Sequence, residues 1–115
     1  MERYTIATIR DEWQIKLYAC LFELESIVAV VQQHIKPGQL PRLAQAYITD
    51  ARLLQQQIKK LADEISQADD PLQQKPENLI RERFTYNRKI RAIEKNVFVV
   101  RYQLLQAVEK LLPLT

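Results

Sequence analysis

The chain has few of the residues that build loops and reactive sites. Its 115 residues include one Gly, five Pro, one Cys and one His. The prolines stand at positions 37, 41, 71, 76 and 113, which leaves three long stretches without a helix breaker. Leu, Ala, Gln, Glu, Lys and Arg dominate these stretches and favour helix. We therefore expect an all-α fold and, from the length, a single domain over residues 1–115.

These scarcities exclude most catalytic and cofactor chemistry. Gly38 alone cannot supply the several glycines of a phosphate-binding loop or a dinucleotide fingerprint. One Cys and one His are too few to hold zinc. Cys20 and His34 lie on one predicted helix about 21 Å apart, too far to act as nucleophile and base. We expect no enzyme activity, no metal and no cofactor.

No apolar run approaches the ~20 residues needed to span a bilayer. Residues 1–10 lack the basic, apolar and small-residue segments of a secretory signal. Cys20 has no second cysteine to pair with, and its position on an apolar helical face predicts a buried thiol. These features predict a cytoplasmic protein without a membrane partner.

Apolar residues at alternating steps of three and four predict helices over about residues 9–35, 41–66 and 77–112. Thr8 and Asp11 resemble a capping pair for the first helix, and Pro41 suits the first turn of the second. The short turn between these helices makes them antiparallel. The predicted fold is an antiparallel bundle of three long helices.

Each predicted helix has an apolar seam, which is a line of apolar side chains along one face of the helix. The seams are Trp13, Leu17, Cys20, Leu24, Ile27 and Val31; Leu43, Tyr47, Leu54, Ile58, Leu61 and Ile65; and Tyr86, Ile90, Ile93, Val97, Val100 and Leu104. At roughly 54 Å the third helix exceeds the roughly 40 Å of each other helix, so it should project or kink.

Residues 97–100 read Val-Phe-Val-Val and are apolar on all sides. Three of these four residues are β-branched, which is typical of a strand. The helical spacing of apolar residues continues on both sides of the run, so we predict that it is helical. It needs cover on more than one side. A short extra N-terminal helix, a second subunit or a binding partner would each provide that cover, and the sequence does not choose among them.

Besides its apolar seam, the third helix carries a second stripe of residues along another face, which interleaves three cations with three aromatic rings. Its members are Phe84, Arg88, Arg91, Lys95, Phe98 and Tyr102. Residues 75–101 hold eight cations and three acids, a balance of +5 in a chain of net charge +3, so the positive charge is local. This asymmetry favours an anionic partner. The alternative is that the rings pack on other helices while the cations lie in solvent.

Arg can hold a carboxylate or phosphate with two hydrogen bonds while a neighbouring ring packs against an apolar group or a base. We therefore predict that Tyr86, Arg88, Lys89 and Arg91 form one anion-plus-ring pocket. The wider binding set adds Arg81, Arg83, Phe84 and Lys95. We expect Phe98 and the valines beside it to meet another helix or a second subunit.

Several segments resemble the N-terminal helical domain of the primosomal replication protein N″ (PriC) family. They are Cys20-Leu21, Gln39-Leu40-Pro41, Leu43-Ala44, Gln57-Ile58, residues 61–66 and residues 86–93. Two positions depart from the family pattern, since Asn87 stands where an acid is usual and Lys89 where Arg is usual. Lys cannot reproduce the paired contacts of a guanidinium.

The resemblance implies a non-catalytic accessory factor of replication restart. Such proteins bind the acidic, Phe-ending tail of single-stranded DNA-binding protein, contact single-stranded DNA and help to load the replicative helicase. Tyr86 would pack against the terminal ring of the tail, and Arg88 or Lys89 would bind its carboxylate. Arg81, Arg83, Arg91 and Lys95 would supply the surrounding positive charge.

The alternative function is a structural or protein-interaction bundle without a nucleic-acid role. In that case the surface at residues 97–100 would form a homodimer or bind a partner helix.

Overall fold

The computed structural model describes residues 2–36, 38, 41–70 and 73–111. These residues form three helices, α1 (Glu2–His34), α2 (Arg42–Ser66) and α3 (Pro76–Leu111), and contain no strand. Each helix packs against both others in a bundle measuring 58 × 22 × 18 Å. α1 and α3 run parallel, with α2 antiparallel to both. The predicted all-α bundle of three long helices is confirmed.

The N-terminal predictions for α1 are wrong. The helix begins at Glu2 instead of near Ile9, because no breaker interrupts residues 2–8. Thr8 therefore lies inside the helix and cannot be its N-cap. No separate short N-terminal helix exists among the described residues, since α1 is continuous. At about 50 Å, α1 nearly matches α3 at about 54 Å, so α3 exceeds only α2.

The breaks between helices fall close to their predicted positions. Pro41 is the N-cap of α2, with φ −58° and ψ 152°, and it makes no side-chain capping bond. The Gln67 N–H closes the other end of α2 by donating to the carbonyl of Asp63. α3 starts at Pro76. The first N–H groups of a helix have no intrahelical acceptor, so proline loses no hydrogen bond at this position. The carboxylate of Glu77 is stabilised by the positive end of the helix dipole. The predicted end at Leu112 lies outside the described residues.

The predicted seams of α1 and α3 are confirmed, because all of their residues are buried except Tyr86, which is half-buried. The seam of α2 is partly wrong, because Leu43 is 62% exposed and small residues face the core near it. The buried residues of α2 are Ala44, Ile48, Ala51, Leu54, Ile58, Leu61, Ala62 and Ile65. Alanines permit close approach of the helices, which a search for large apolar residues overlooks.

Residues 97–100 are helical, as predicted. Val97 and Val100 are buried in the core, whereas Phe98 and Val99 are exposed. The segment is therefore half core and half surface. Its two buried valines are covered by α1 and α2 and need no second subunit.

Candidate anion-binding site

The second stripe of α3 forms the outer face of the helix. Phe84 is 74% exposed, Phe98 is 68% exposed and Tyr102 is 56% exposed. Arg88, Arg91 and Lys95 are exposed between these rings. The prediction of a separate basic and aromatic face is confirmed, whereas the alternative that Phe84 and Phe98 pack against other helices is wrong.

A surface cavity of about 400 Å³ lies within this face. Among the described residues its lining comes from α3 and consists of Phe84, Thr85, Asn87, Arg88 and Arg91. Arg88 and Arg91 stand three residues apart and share one side of the helix. Among the described residues neither guanidinium has an ion-pair partner within 4.0 Å. Their donors are therefore available to a carboxylate or a phosphate.

Tyr86 lies at the edge of the core, away from this cavity. Its ring packs on Trp13, with centroids 5.4 Å apart and planes inclined by 58°. Burial raises the pKa of the Tyr86 hydroxyl, and the carboxylates of Glu64 and Glu82 raise it further against the opposing effect of Arg10. The hydroxyl therefore stays protonated at neutral pH, and one face of the ring is occupied by Trp13.

Lys89 faces α2. Its Nζ lies 3.9 Å from Oε2 of Glu64 and 5.6 Å from the centroid of the Tyr86 ring. It lines a different cavity, of about 300 Å³, shared with α2 residues that include Gln57 and Lys60. Consecutive helical residues are about 100° apart around the axis, so Lys89 cannot point with Arg88. The prediction that Tyr86, Arg88, Lys89 and Arg91 form one pocket is therefore wrong.

The remaining predicted cations do not line this cavity. Lys95 follows Arg91 by about one turn on the outer face and is exposed, as is Arg83. Arg81 lines a third cavity, of about 390 Å³, next to Glu82 and Asp69. The structure thus brings Phe84, Arg88 and Arg91 together, places Lys95 on the same face, and separates Lys89, Tyr86 and Arg81 from them.

A polar cluster that the sequence did not reveal joins the start of α3 to α1. Nε and Nη2 of Arg10 each donate to a carboxylate oxygen of Glu82 at 2.9 Å. Nη1 donates to the backbone carbonyl of Asp69, also at 2.9 Å. The bidentate geometry fixes the loop before α3 as well as its first turns. Arg10 and Glu82 are 72 residues apart, so no local sequence pattern predicts that they pair.

Asn87 connects the candidate site to the core. Its Oδ1 accepts a 2.7 Å hydrogen bond from Nε1 of Trp13, while the residue also lines the cavity of Arg88 and Arg91. Helical spacing could have identified both Asn87 and Thr85 as cavity neighbours, since Asn87 follows Phe84 by three residues and Thr85 precedes Arg88 by three. The bond to Trp13 depends on tertiary packing and has no sequence signal.

Within the described part of the chain, no three His, Cys, Asp or Glu side chains cluster closely enough to hold a metal ion. None of the helices described has an apolar stretch long enough to cross a membrane.

The chain matches no protein-family model, no curated protein and no solved structure with which it was compared. The resemblance to the primosomal replication protein N″ family accordingly stays a prediction.

Proposed function

We propose that this protein is a non-catalytic adaptor that binds an acidic partner on the outer face of α3. The observation that carries the proposal is the cavity in which Arg88 and Arg91, both without an ion-pair partner among the described residues, lie beside the exposed ring of Phe84. Guanidinium groups next to a free ring suit a ligand that combines negative charge with an aromatic or apolar group.

The partner that the family resemblance implies has this chemistry. The acidic tail of single-stranded DNA-binding protein ends in Phe and a terminal carboxylate, and single-stranded DNA combines phosphates with stackable bases. We propose that one or both bind this face during replication restart. Contact with the replicative helicase is a further step that rests on the resemblance alone.

We propose the following roles within this site. Arg88 and Arg91 bind the carboxylate or phosphate, and Phe84 replaces Tyr86 as the ring platform because Trp13 already covers Tyr86. Lys95, Arg83 and Arg81 raise the local positive potential and steer an anionic partner toward the face. Lys89 contributes less, since it lies beside Glu64 on the side of α3 that faces α2.

Fluorescence anisotropy tests the proposal with two labelled probes, an acidic peptide ending in Phe and an oligothymidine. We expect binding to both or to one of them, with affinity falling as salt rises. For the oligothymidine, contact of all five cations of the site with phosphates corresponds to a loss of about 10²-fold between 50 and 200 mM salt. A peptide lacking only its terminal Phe should bind more weakly if Phe84 receives that ring.

Arg88→Glu combined with Arg91→Glu should abolish binding of either probe while leaving the helical circular dichroism unchanged. Arg52→Glu with Lys59→Glu is the matched control, because it makes the same charge change at exposed positions of α2. Equal losses in both double variants would show that net charge alone drives binding. Full binding by the Arg88 and Arg91 variant would place the site elsewhere.

A second candidate function, a protein-interaction module, is favoured by the apolar side chains exposed on α3 beyond Lys95. Phe98, Val99, Tyr102 and Leu105 cover nearly two turns of the helix and contact solvent in the isolated chain. The interface first predicted at residues 97–100 is reduced to Phe98 and Val99, because Val97 and Val100 belong to the core.

A further inference from the structure

The side-chain amide of Asn87 lies between the core and the cavity of Arg88 and Arg91. Its Oδ1 accepts the 2.7 Å hydrogen bond from Nε1 of Trp13, a residue that is 2% exposed. Asn87 itself is half-buried and belongs to the lining of the cavity. One end of the amide is therefore anchored in the core, while the residue still reaches the candidate site.

The chemistry of the indole fixes which way this amide points. An indole N–H donates a hydrogen bond and cannot accept one, so the oxygen of the Asn87 amide must face it. A reversed amide would set its own N–H groups against that of the indole and leave a buried donor unbonded. The indole is held in turn by the ring of Tyr86, with centroids 5.4 Å apart. Nδ2 of Asn87 is consequently directed away from Trp13.

Nδ2 carries two N–H groups that the fold leaves unused. Within the described part of the chain, the hydrogen bond of the Asn87 side chain is the one to Trp13, and Nδ2 forms none. In the same residues, Oε1 of Gln14 is the one buried side-chain N or O atom that lacks a partner, so Nδ2 is open to solvent. Because Asn87 lines the cavity, these donors are available to a ligand there.

The donors of the cavity converge beside one aromatic ring. Asn87 follows Phe84 by three residues and precedes Arg91 by four, so these side chains share one side of α3. The guanidinium groups of Arg88 and Arg91 have no ion-pair partner within 4.0 Å among the described residues, and a guanidinium has donors but no acceptor. A ligand oxygen in this cavity therefore meets N–H groups from three neighbouring side chains.

From this arrangement we infer that Asn87 is a further binding residue of the site, whose Nδ2 donates to the same carboxylate or phosphate that Arg88 and Arg91 bind. The inference rests on the proposed function, because it adds a neutral donor to the proposed anion site. It also makes position 87 a determinant of specificity. An amide oriented by Trp13 favours a negatively charged oxygen, whereas a carboxylate at the same position would repel it.

Asn87→Asp separates binding from folding. Aspartate has nearly the shape of asparagine and still accepts the indole hydrogen bond, but it replaces the N–H groups by an oxygen. We expect about tenfold or greater weakening, in fluorescence anisotropy, of whichever probe the wild-type chain binds, the acidic peptide ending in Phe or the oligothymidine. Asn96→Asp is the matched control and should weaken binding less than about twofold, because Asn96 is exposed on the side of α3 that faces α2.

The anisotropy outcomes separate this inference from the proposed function. Equal losses in the two variants, or wild-type affinity in Asn87→Asp, overturn the role of Asn87 and leave the sites of Arg88 and Arg91 in place. A wild-type chain that binds neither probe overturns the proposed function and this inference together.

NMR of the ¹⁵N-labelled wild-type chain tests the contact without a substitution. The chain has one Trp, so its indole N–H gives a single signal. A saturating probe should shift the Nδ2 signals of Asn87 and, through the hydrogen bond, the indole signal of Trp13, while the Nδ2 signals of Asn96 stay in place. A bound probe that leaves the Asn87 signals unmoved overturns the inference.

Discussion

Two ion pairs of the bundle differ in what they contribute to stability. Arg10 and Glu82 share two hydrogen bonds with their side chains only 12% and 9% exposed, whereas Lys89 and Glu64 are 3.9 Å apart and about half exposed. A shielded bidentate pair leaves a poorly solvated charge behind when one partner is removed. An exposed pair leaves only a group that water solvates.

We therefore expect Arg10→Ala to lower the free energy of unfolding by about 2 to 3 kcal/mol, because three charged hydrogen bonds are lost. Lys89→Ala should lower it by less than about 1 kcal/mol. Urea denaturation followed by circular dichroism at 222 nm measures both. Equal losses would show that the Arg10 pair is as well solvated as the Lys89 pair.

The hydrogen bond between Trp13 and Asn87 should behave as a coupled unit. Asn87→Ala leaves the buried indole N–H without its acceptor and should cost about 1 to 2 kcal/mol. In a Trp13→Phe background the same change should cost little, because the donor is already gone. A double-mutant cycle in urea therefore yields a coupling energy of about 1 kcal/mol, and additive losses would contradict the bond.

Cys20 should make the fold less stable at alkaline pH. Burial raises the pKa of its thiol, and the carboxylates of Glu94 and Glu23 raise it further. The unfolded chain loses this proton near the ordinary thiol pKa of about 8.5, while the folded chain keeps it. The unfolded state then binds fewer protons, so the free energy of unfolding falls as pH rises above this value.

Urea denaturation at pH 7 and pH 9.5 measures this loss. The contribution of Cys20 is fully present below the unfolded pKa, and Cys20→Ala should flatten the profile between pH 8 and 9.5. The raised pKa of Tyr86 acts in the same direction at higher pH, so the variant should retain a decline there. A wild-type protein that gains stability from pH 8 to 9.5 would contradict the assignment.

At the scale of the helix, residues 97 and 98 test the two faces of α3. Val97→Asp buries an unpaired carboxylate in the core and should cost more than about 3 kcal/mol, enough to unfold a marginal bundle. Phe98→Asp changes an exposed side chain and should cost about 0.5 kcal/mol or less in the monomer. Thermal unfolding at low micromolar concentration distinguishes them, and similar melting temperatures would contradict the assigned faces.

Helical periodicity predicted most of the fold because the seams of α1 and α3 consist of large aliphatic side chains. The same rule misplaced part of α2, where Ala44, Ala51 and Ala62 face the core and Leu43 faces solvent. Alanine is compatible with either environment, so its burial depends on how closely a neighbouring helix approaches. The start of α1 was missed because residues 2–8 carry no strong apolar spacing.

The candidate site was predictable as a face and only partly as a pocket. The stripe from Phe84 to Tyr102 follows from spacing along one helix, and it is exposed as expected. Grouping Lys89 with Arg88 ignored the 100° between successive residues, an error that helix geometry alone could have prevented. The seam of the third helix already placed Tyr86 on the core side, but its contact with Trp13 could not be foreseen, since that contact depends on the register between α1 and α3.

Across the whole molecule, positive charge is concentrated on α3. Residues 75–101 carry a balance of +5 in a chain of net charge +3. Arg88, Arg91 and Lys95 occupy the outer face of that helix and are exposed. An anionic partner should therefore be attracted to this face before it makes contact.

This asymmetry gives a prediction about binding rates. Lys95→Gln should lower the association rate constant of an acidic peptide ending in Phe several-fold at 50 mM salt and hardly at all at 500 mM, because Lys95 lies beside the cavity and acts through its charge. Stopped-flow fluorescence measures the association and dissociation rate constants.

Arg52→Gln provides the control, because it removes one exposed cation on α2. Equal slowing by both variants would show that net charge, and not the charge of the α3 face, attracts the peptide. Faster dissociation from Lys95→Gln with an unchanged association rate constant would place Lys95 in direct contact with the peptide.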